Sequence, residues 1–120
     1  MADRVLYVAW SNPVRGAEER GLEVFNEALG LLGRKQQDGM IEGFDVVLLD
    51  PNGQINGFML ARGSREQIDA LRADDEFQRT MIEATLIVDG LTHVEGSTDE
   101  GVARQMAMYQ EAISKVPQRA

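Results

Sequence analysis

The chain has 120 residues, 43% of them hydrophobic and 27% charged, which fits one globular domain that buries a core without disulfides. It contains no cysteine, which excludes disulfides, thiolate nucleophiles and iron–sulfur clusters. The formal net charge is −8 and the cations are scattered along the chain, which argues against a nucleic-acid partner.

The N-terminal residues lead directly into a predicted strand. They show no signal-peptide pattern, and no apolar run approaches the roughly 20 residues that a membrane span needs. Because cysteine is also absent, we expect a cytoplasmic protein with no membrane partner. Residues 4–10 are rich in β-branched and aromatic side chains and predict a first strand, which Pro13 helps to end.

A helical period follows over residues 17–37. Leu22, Phe25, Leu29 and Leu32 recur at helical spacing and predict one apolar stripe. Acidic residues precede this stripe and basic residues follow it, as the helix dipole favours. The sequence therefore predicts a first helix directly after the first strand.

A hairpin is predicted next. The segment 50–53 (Asp-Pro-Asn-Gly) is a strong turn signal, because proline presets one φ angle and asparagine and glycine tolerate positive φ. It joins predicted strands at residues 44–49 and 55–62. The loop is short, so the two strands should pair antiparallel.

The remaining elements are two helices and a strand. Ser64 and Gln67 have the spacing of a capping box, and the pair Asp74-Asp75 predicts a break or kink in the helix that follows. Residues 86–95 predict a fourth strand, with Gly90 as a possible bulge. Apolar residues spaced four and three apart over residues 98–116 predict a last amphipathic helix.

The order strand, helix, strand, strand, helix, strand predicts an α+β ferredoxin-like fold with a four-stranded antiparallel sheet. Right-handed crossovers would place the main helices on one sheet face. The other face would then meet water, and the strands should alternate apolar and polar residues. The predicted strands are instead apolar on both faces. A second copy of the sheet is the simplest cover, so the sequence predicts a homodimer.

These features resemble the dimeric α/β-barrel superfamily. The resemblance covers about residues 3–97 of a single predicted domain, with residues 98–116 similar to a helix appended in some members. The superfamily includes cofactor-independent monooxygenases, haem-degrading enzymes, muconolactone-isomerase-like proteins and YCII-like proteins. The resemblance implies a dimeric barrel, and fold alone does not choose among these activities.

One candidate site surrounds His93, the single histidine. Asp89 and Glu95 would share its strand face if no bulge intervened, and a histidine flanked by carboxylates suits general-base catalysis. The alternative is a solvated histidine at a strand end. The same three residues could hold zinc, manganese or non-haem iron, but their spacing matches no metal motif, and we predict neither metal nor cofactor.

Other candidates lie on the first three strands. Tyr7 and Trp10 could line a ligand cavity or belong to the core. Asp45 interrupts an apolar strand and needs a partner, which Arg62 could supply unless Arg62 binds an acidic ligand. With Asp89 and Glu95, these residues form the predicted ligand-binding set.

Two hypotheses of function remain open. The first is that the protein binds or transforms a small organic molecule, with a cofactor-independent oxygenase-like or isomerase-like activity. The second is a non-catalytic dimeric module for binding or structure, because no nucleophile, base and oxyanion donor converge in the sequence. Whether the protein is an enzyme is left undecided.

Overall fold

A computed structural model describes residues 2–117 and residue 119. Within them no helix combines the length and the apolar character that a membrane crossing requires. The elements are, in order, β1 (Arg4–Trp10), α1 (Glu18–Gln37), β2 (Gly43–Leu48), β3 (Gly57–Gly63), α2 (Arg65–Ala73), α3 (Asp75–Ile87), β4 (Thr92–Ser97) and α4 (Glu100–Ser114).

The four strands form one antiparallel sheet in the order β2-β3-β1-β4. β1 is central: Tyr7 lies opposite Leu60 of β3 on one side and opposite Val94 of β4 on the other. β2 and β3 pair antiparallel, as the turn at 50–53 predicts. The predicted α+β fold with a four-stranded antiparallel sheet is therefore confirmed, and the fold is ferredoxin-like.

The hydrophobic core lies between the sheet and the layer of α1, α2 and α3. Every second residue of a strand points to the same sheet face. Leu6, Val8, Met59 and Ala61 are buried on the face that meets the helices. The helix layer contributes buried side chains that pack against them, namely Ala28, Leu31, Leu32, Ile68, Leu71 and Phe77.

The predicted helix signals between residues 64 and 75 are confirmed. The Ser64 hydroxyl accepts a hydrogen bond from the Gln67 amide, and the Gln67 side chain accepts one from the Ser64 amide. Asp74 ends α2 in an extended conformation, and its carboxylate accepts the Phe77 N–H at the start of α3. The capping chemistry thus explains why one helical stretch becomes two helices.

The predicted bounds of the fourth strand are wrong. α3 continues to Ile87, and β4 begins only at Thr92. Gly90 has φ +64° and forms part of the turn between them, so Asp89 precedes the strand. Residues 86–91 form the end of α3 and the loop after it. A short apolar run fits a helix end as well as a strand.

The face of the sheet turned away from α1, α2 and α3 is here called the open face. It is largely apolar, and Val5, Tyr7, Phe58 and Leu60 are half-buried there by their neighbours in the sheet. The rings of Tyr7 and Phe58 lie 5.4 Å apart between centroids. The sequence-based expectation of a sheet that is apolar on both faces is therefore met.

The last helix, α4, stands out from the body of the molecule. It packs mainly against β4, and Val102, Met106 and Tyr109 are about half exposed. The radius of gyration is 16.9 Å, against about 14 Å for a compact chain of this length. α4 therefore leaves most of the open face uncovered within one chain.

Close backbone packing anchors the start of α4. The Asp3 carbonyl accepts the Thr98 N–H at 3.0 Å, and a Cβ built on Gly101 would lie 2.4 Å from the same carbonyl oxygen. Arg104 adds an ion pair to the Asp3 carboxylate. The absence of a side chain at residue 101 is thus a condition for this contact.

Gly101→Ala should lower the free energy of unfolding by about 1–3 kcal/mol, because neither backbone can move away without breaking its hydrogen bonds. Urea unfolding followed by circular dichroism measures this. Gly33→Ala in α1 is the control: no atom lies within 4 Å of its added Cβ, so it should stabilise by up to about 1 kcal/mol. Equal stability of the two variants would contradict the close contact.

Candidate functional site

A cavity of about 430 Å³ lies on the helix face of the sheet, between β1, β3, α1 and α3. It opens at the end of the sheet where β1 ends and α1 begins. The residues that line it are Val8, Trp10, Pro13, Glu18, Gly21, Leu22, Val24, Phe25, Ala28, Leu48, Leu49, Asn56, Met59, Thr80, Met81, Ala84, Ile87, Val88 and Leu91. Ligand sites are typically about 300–1,000 Å³ and mostly apolar, and this cavity has both properties.

Few polar side chains reach the cavity. Trp10, Asn56 and Thr80 can donate hydrogen bonds into it, and Glu18 is the one ionisable residue of the described lining. Glu18 lies in the first turn of α1 and is exposed at the mouth, where its Oε1 accepts the Gly16 N–H at 2.8 Å. The cavity is thus an apolar chamber with a carboxylate at its entrance.

Two aromatic rings form one corner of the cavity. Trp10 at the end of β1 and Phe25 on α1 have ring centroids 5.7 Å apart and planes at 63°. Edge-to-face pairs of this kind hold both rings in place, because the positive edge of one ring meets the negative face of the other. A flat apolar ligand would find a rigid surface here.

The backbone closes the cavity beside this corner. The segment after β1 pairs with the segment after α3: Ser11 N–H donates to the Asp89 carbonyl, and Asp89 N–H donates to the Asn12 carbonyl. A further bond joins Val14 N–H to the Ile87 carbonyl at 2.8 Å. Asp89, a predicted ligand-binding residue, therefore belongs to the loop at the cavity end, and its side chain does not line the cavity.

A polar network lies along β4, on the sheet face that the helices cover and on which the cavity lies. Arg72 of α2 donates to Glu95 at 2.8 Å and approaches Nδ1 of His93 at 3.4 Å. Arg4 of β1 donates to Ser97 at 2.9 Å and to the other Glu95 oxygen at 3.4 Å. The hydrogen bond from Arg72 lowers the pKa of Glu95 below its usual value, and Arg4 adds to this, while burial opposes it.

His93 belongs to this network and does not line the cavity. It is exposed at the sheet edge, next to the cavity-lining Val8 on β1. A guanidinium only donates, so Nδ1 of His93 is the acceptor in a hydrogen bond with Arg72 in the tautomer that leaves Nδ1 without a proton. The structure thus brings His93 and Glu95 together but separates both from Asp89.

Three other predicted residues lie on the open face. Arg62 and Asp45 form an ion pair there, the partner that the sequence suggests for Asp45. Tyr7 lies on the same face against Phe58. Trp10 is thus the one member of the predicted set that lines the cavity, and the site roles of the others stay predictions.

Sequence reasoning left out several residues that shape these places. The sequence predicts Phe25 only as part of the apolar helix stripe, and no pattern in it marks Asn56 or Arg72 as site residues. Glu18 lies seven positions before Phe25, on the same side of α1, and this spacing was the available signal. Among the described residues no three of His, Asp and Glu are grouped to hold a metal ion.

Solved structures of other proteins resemble this fold. A dimeric protein of unknown function and ferredoxin-like fold from Bacteroides fragilis has a TM-score of 0.60 and 12% identity, covering 79% of this chain and 96% of its own. A protein assigned as an antibiotic biosynthesis monooxygenase from Chloroflexus aurantiacus has a TM-score of 0.53 and 12% identity, covering 80% of this chain and 93% of its own. SnoaB, a cofactor-independent oxygenase from Streptomyces nogalater, has a TM-score of 0.50 and 18% identity, covering 82% of this chain and 93% of its own.

These likenesses define the class of protein at the level of fold. The three structures support the ferredoxin-like fold and the fold-level resemblance predicted from the sequence. Because all three identities are below 20%, they do not show a shared activity. No family model and no curated protein matches the sequence.

Glu95→Gln should lower the free energy of unfolding at pH 7 by about 1–2 kcal/mol, because two guanidiniums lose their shared carboxylate. A carboxyl whose pKa is lowered by folding stabilises above its unfolded-state value and loses this as the pH falls. The difference between wild type and variant should therefore shrink below about pH 4.5.

Urea unfolding between pH 7 and pH 3 measures this difference. Glu111→Gln is the control, since Glu111 pairs with Lys115 on the surface of α4 with both side chains about 70% exposed. It should change the free energy of unfolding by less than about 0.5 kcal/mol at any of these pH values. An equally small Glu95→Gln effect would show that the network contributes nothing, and a larger effect independent of pH would show that the charge of Glu95 contributes nothing.

Proposed function

We propose that the protein is a homodimer that binds a small, largely apolar organic molecule in the cavity between β1, β3, α1 and α3. The observation that carries this proposal is the cavity itself, about 430 Å³ with an apolar wall and few polar groups. An open cavity of this size with a mostly apolar lining has the dimensions and the character of a small-molecule site. A molecule that binds there would stabilise the folded protein.

Chemical transformation of the ligand is the finer part of this proposal. Two proteins of similar fold carry names of oxygenases, one of them cofactor-independent, and this supports an oxygenase-like or isomerase-like reaction only as far as a shared fold can. A general-base role for His93 requires the ligand to extend past Val8 to the edge strand, because His93 lies beside Val8 but does not line the cavity. The absence of cysteine supports a cytoplasmic location.

Binding without chemistry is the second candidate, and one observation favours it. The described lining of the cavity contains no histidine, lysine or arginine, and its single carboxylate lies at the mouth. A proton-transfer catalyst needs a base within hydrogen-bond reach of the substrate. A carrier or sensor of an apolar molecule needs only the chamber.

The ligand site is tested by filling it. Ala84 lines the cavity from α3 and is buried, so Ala84→Leu adds three carbon atoms to the space that a ligand would occupy. In a thermal-shift screen of neutral aromatic compounds, at least one should raise the melting temperature of wild type by about 2–4 °C. Ala84→Leu should abolish the shift.

Ala112→Leu, at an exposed position of α4, is the matched control and should keep the full shift. His93→Ala separates the two candidate functions: it should leave binding intact and abolish turnover only if the protein is an enzyme with His93 as base. A wild type that no compound stabilises, or a shift that survives Ala84→Leu, would remove the cavity from the proposal.

The homodimer is supported by the open face. A four-stranded apolar face with only the Asp45–Arg62 pair as a charged feature among its described residues is larger than monomers usually leave exposed. The protein of similar fold from Bacteroides fragilis is itself dimeric. In a two-fold dimer, the open face of one chain would pack against the open face of the other.

Phe58→Lys should convert the dimer to a monomer, because it puts a charge on the open face opposite the apolar Ala9 and Val47. Light scattering should give about twice 13.3 kDa for wild type and about 13.3 kDa for the variant. Ile82→Lys is the control, since Ile82 is 64% exposed on α3 at the opposite side. A wild type of 13.3 kDa at micromolar concentration would refute the dimer.

A further inference from the structure

The charge distribution of the cavity points to a class of ligand. We infer that the cavity selects molecules with an apolar body and a protonated amine at one end. This inference rests on the proposed binding function and adds the sign of the charge that the ligand carries. Its basis is the position of Glu18 relative to the Trp10–Phe25 corner.

An anionic ligand has no partner in this site. The described lining holds no lysine, arginine or histidine, and the one carboxylate at the mouth would repel a second one. Arg20, the nearest cation along α1, is held by Glu27 at 2.8 Å and by Glu83 at 2.5 Å. A carboxylate at the exposed mouth would meet the charge of Glu18 with no cation of the described lining beside it, so acids are disfavoured by a few-fold in affinity.

A cationic head group has a partner at the mouth. Glu18 uses Oε1 to accept the Gly16 N–H, and its second oxygen remains for a ligand. The carboxylate is exposed, so its attraction for an ammonium group is worth only a few-fold in affinity. The formal net charge of −8 adds a weak long-range attraction of the same sign.

The apolar body of the ligand fits the remaining length of the cavity. Glu18 and Phe25 are seven residues apart on α1, which corresponds to a rise of about 10 Å. Gly21 and Leu22 line the wall between them. A fused aromatic ring bearing a short aminoalkyl chain spans this distance, with the ring on Trp10 and Phe25 and the amine at Glu18.

Three matched probes test the inference: 2-(2-naphthyl)ethylamine, 2-(2-naphthyl)ethanol and 2-naphthaleneacetic acid at pH 7, titrated into the full-length protein by calorimetry. The amine should bind about three- to five-fold more tightly than the alcohol. The acid should bind about three- to five-fold more weakly than the alcohol, because its carboxylate is repelled by Glu18.

Glu18→Gln keeps the side-chain size and an oxygen for the Gly16 N–H but removes the charge. It should bring the affinity for the amine down to that for the alcohol and leave the alcohol unchanged. Glu19→Gln is the matched control, because Glu19 is the next residue of the same helical turn and does not line the cavity. It should leave all three affinities within about two-fold, and added salt should weaken only the amine.

The possible failures are distinct. If the alcohol binds but the acid binds as tightly as the amine, or if Glu18→Gln keeps the preference for the amine, the inference is wrong and the cavity still binds ligands. An equal loss in Glu19→Gln also overturns it, because the preference then comes from net charge. If none of the three probes binds and the neutral screen also fails, the proposed function falls and this inference with it.

Discussion

The antiparallel register of β1 between β3 and β4 decides where every candidate residue of this protein lies. Alternate residues of β1 point to opposite faces, and the pairings carry this alternation across the whole sheet. Val8, Met59 and His93 therefore share the face covered by helices, while Tyr7, Leu60 and Val94 share the open face. Because both sets are mainly apolar, the sheet needs two covers, and one chain supplies only the helices.

The same register explains why His93 and the cavity are neighbours without forming one site. His93 reaches the helix face beside Val8, but it lies on the edge strand, where α2 supplies Arg72. Arg72 also needs a counter-charge in this half-buried place, and Glu95 provides it. The carboxylate next to His93 is thus engaged by guanidiniums, which leaves it a structural role in the network.

The fold was predictable because its signals are local and mutually consistent. The capping box at Ser64, the break at Asp74 and the turn at 50–53 each act within a few residues. The start of β4 was not predictable, because an apolar run such as 86–91 suits a helix end as well as a strand. The candidate site was largely missed for another reason: helical spacing puts Glu18 and Phe25 on one side of α1, but only the packing of α1 on the sheet brings them to Trp10.

The position of the cavity follows from a gradient of side-chain size along the helices. Towards the C-terminal half of α1 the layer is filled by Leu31 and Leu32, with Ile68, Leu71 and Phe77 from the other helices. Towards the start of α1 and the end of α3, the small residues Gly21, Ala28 and Ala84 line the cavity, and Val24 and Ile87 form a second buried cluster with Ala84. Small residues on both helices at one level leave space that the sheet cannot fill, since its strands are held at fixed spacing. The core is thus filled by large side chains at one end and borders an open cavity at the other, where the chain places its single tryptophan and an exposed carboxylate.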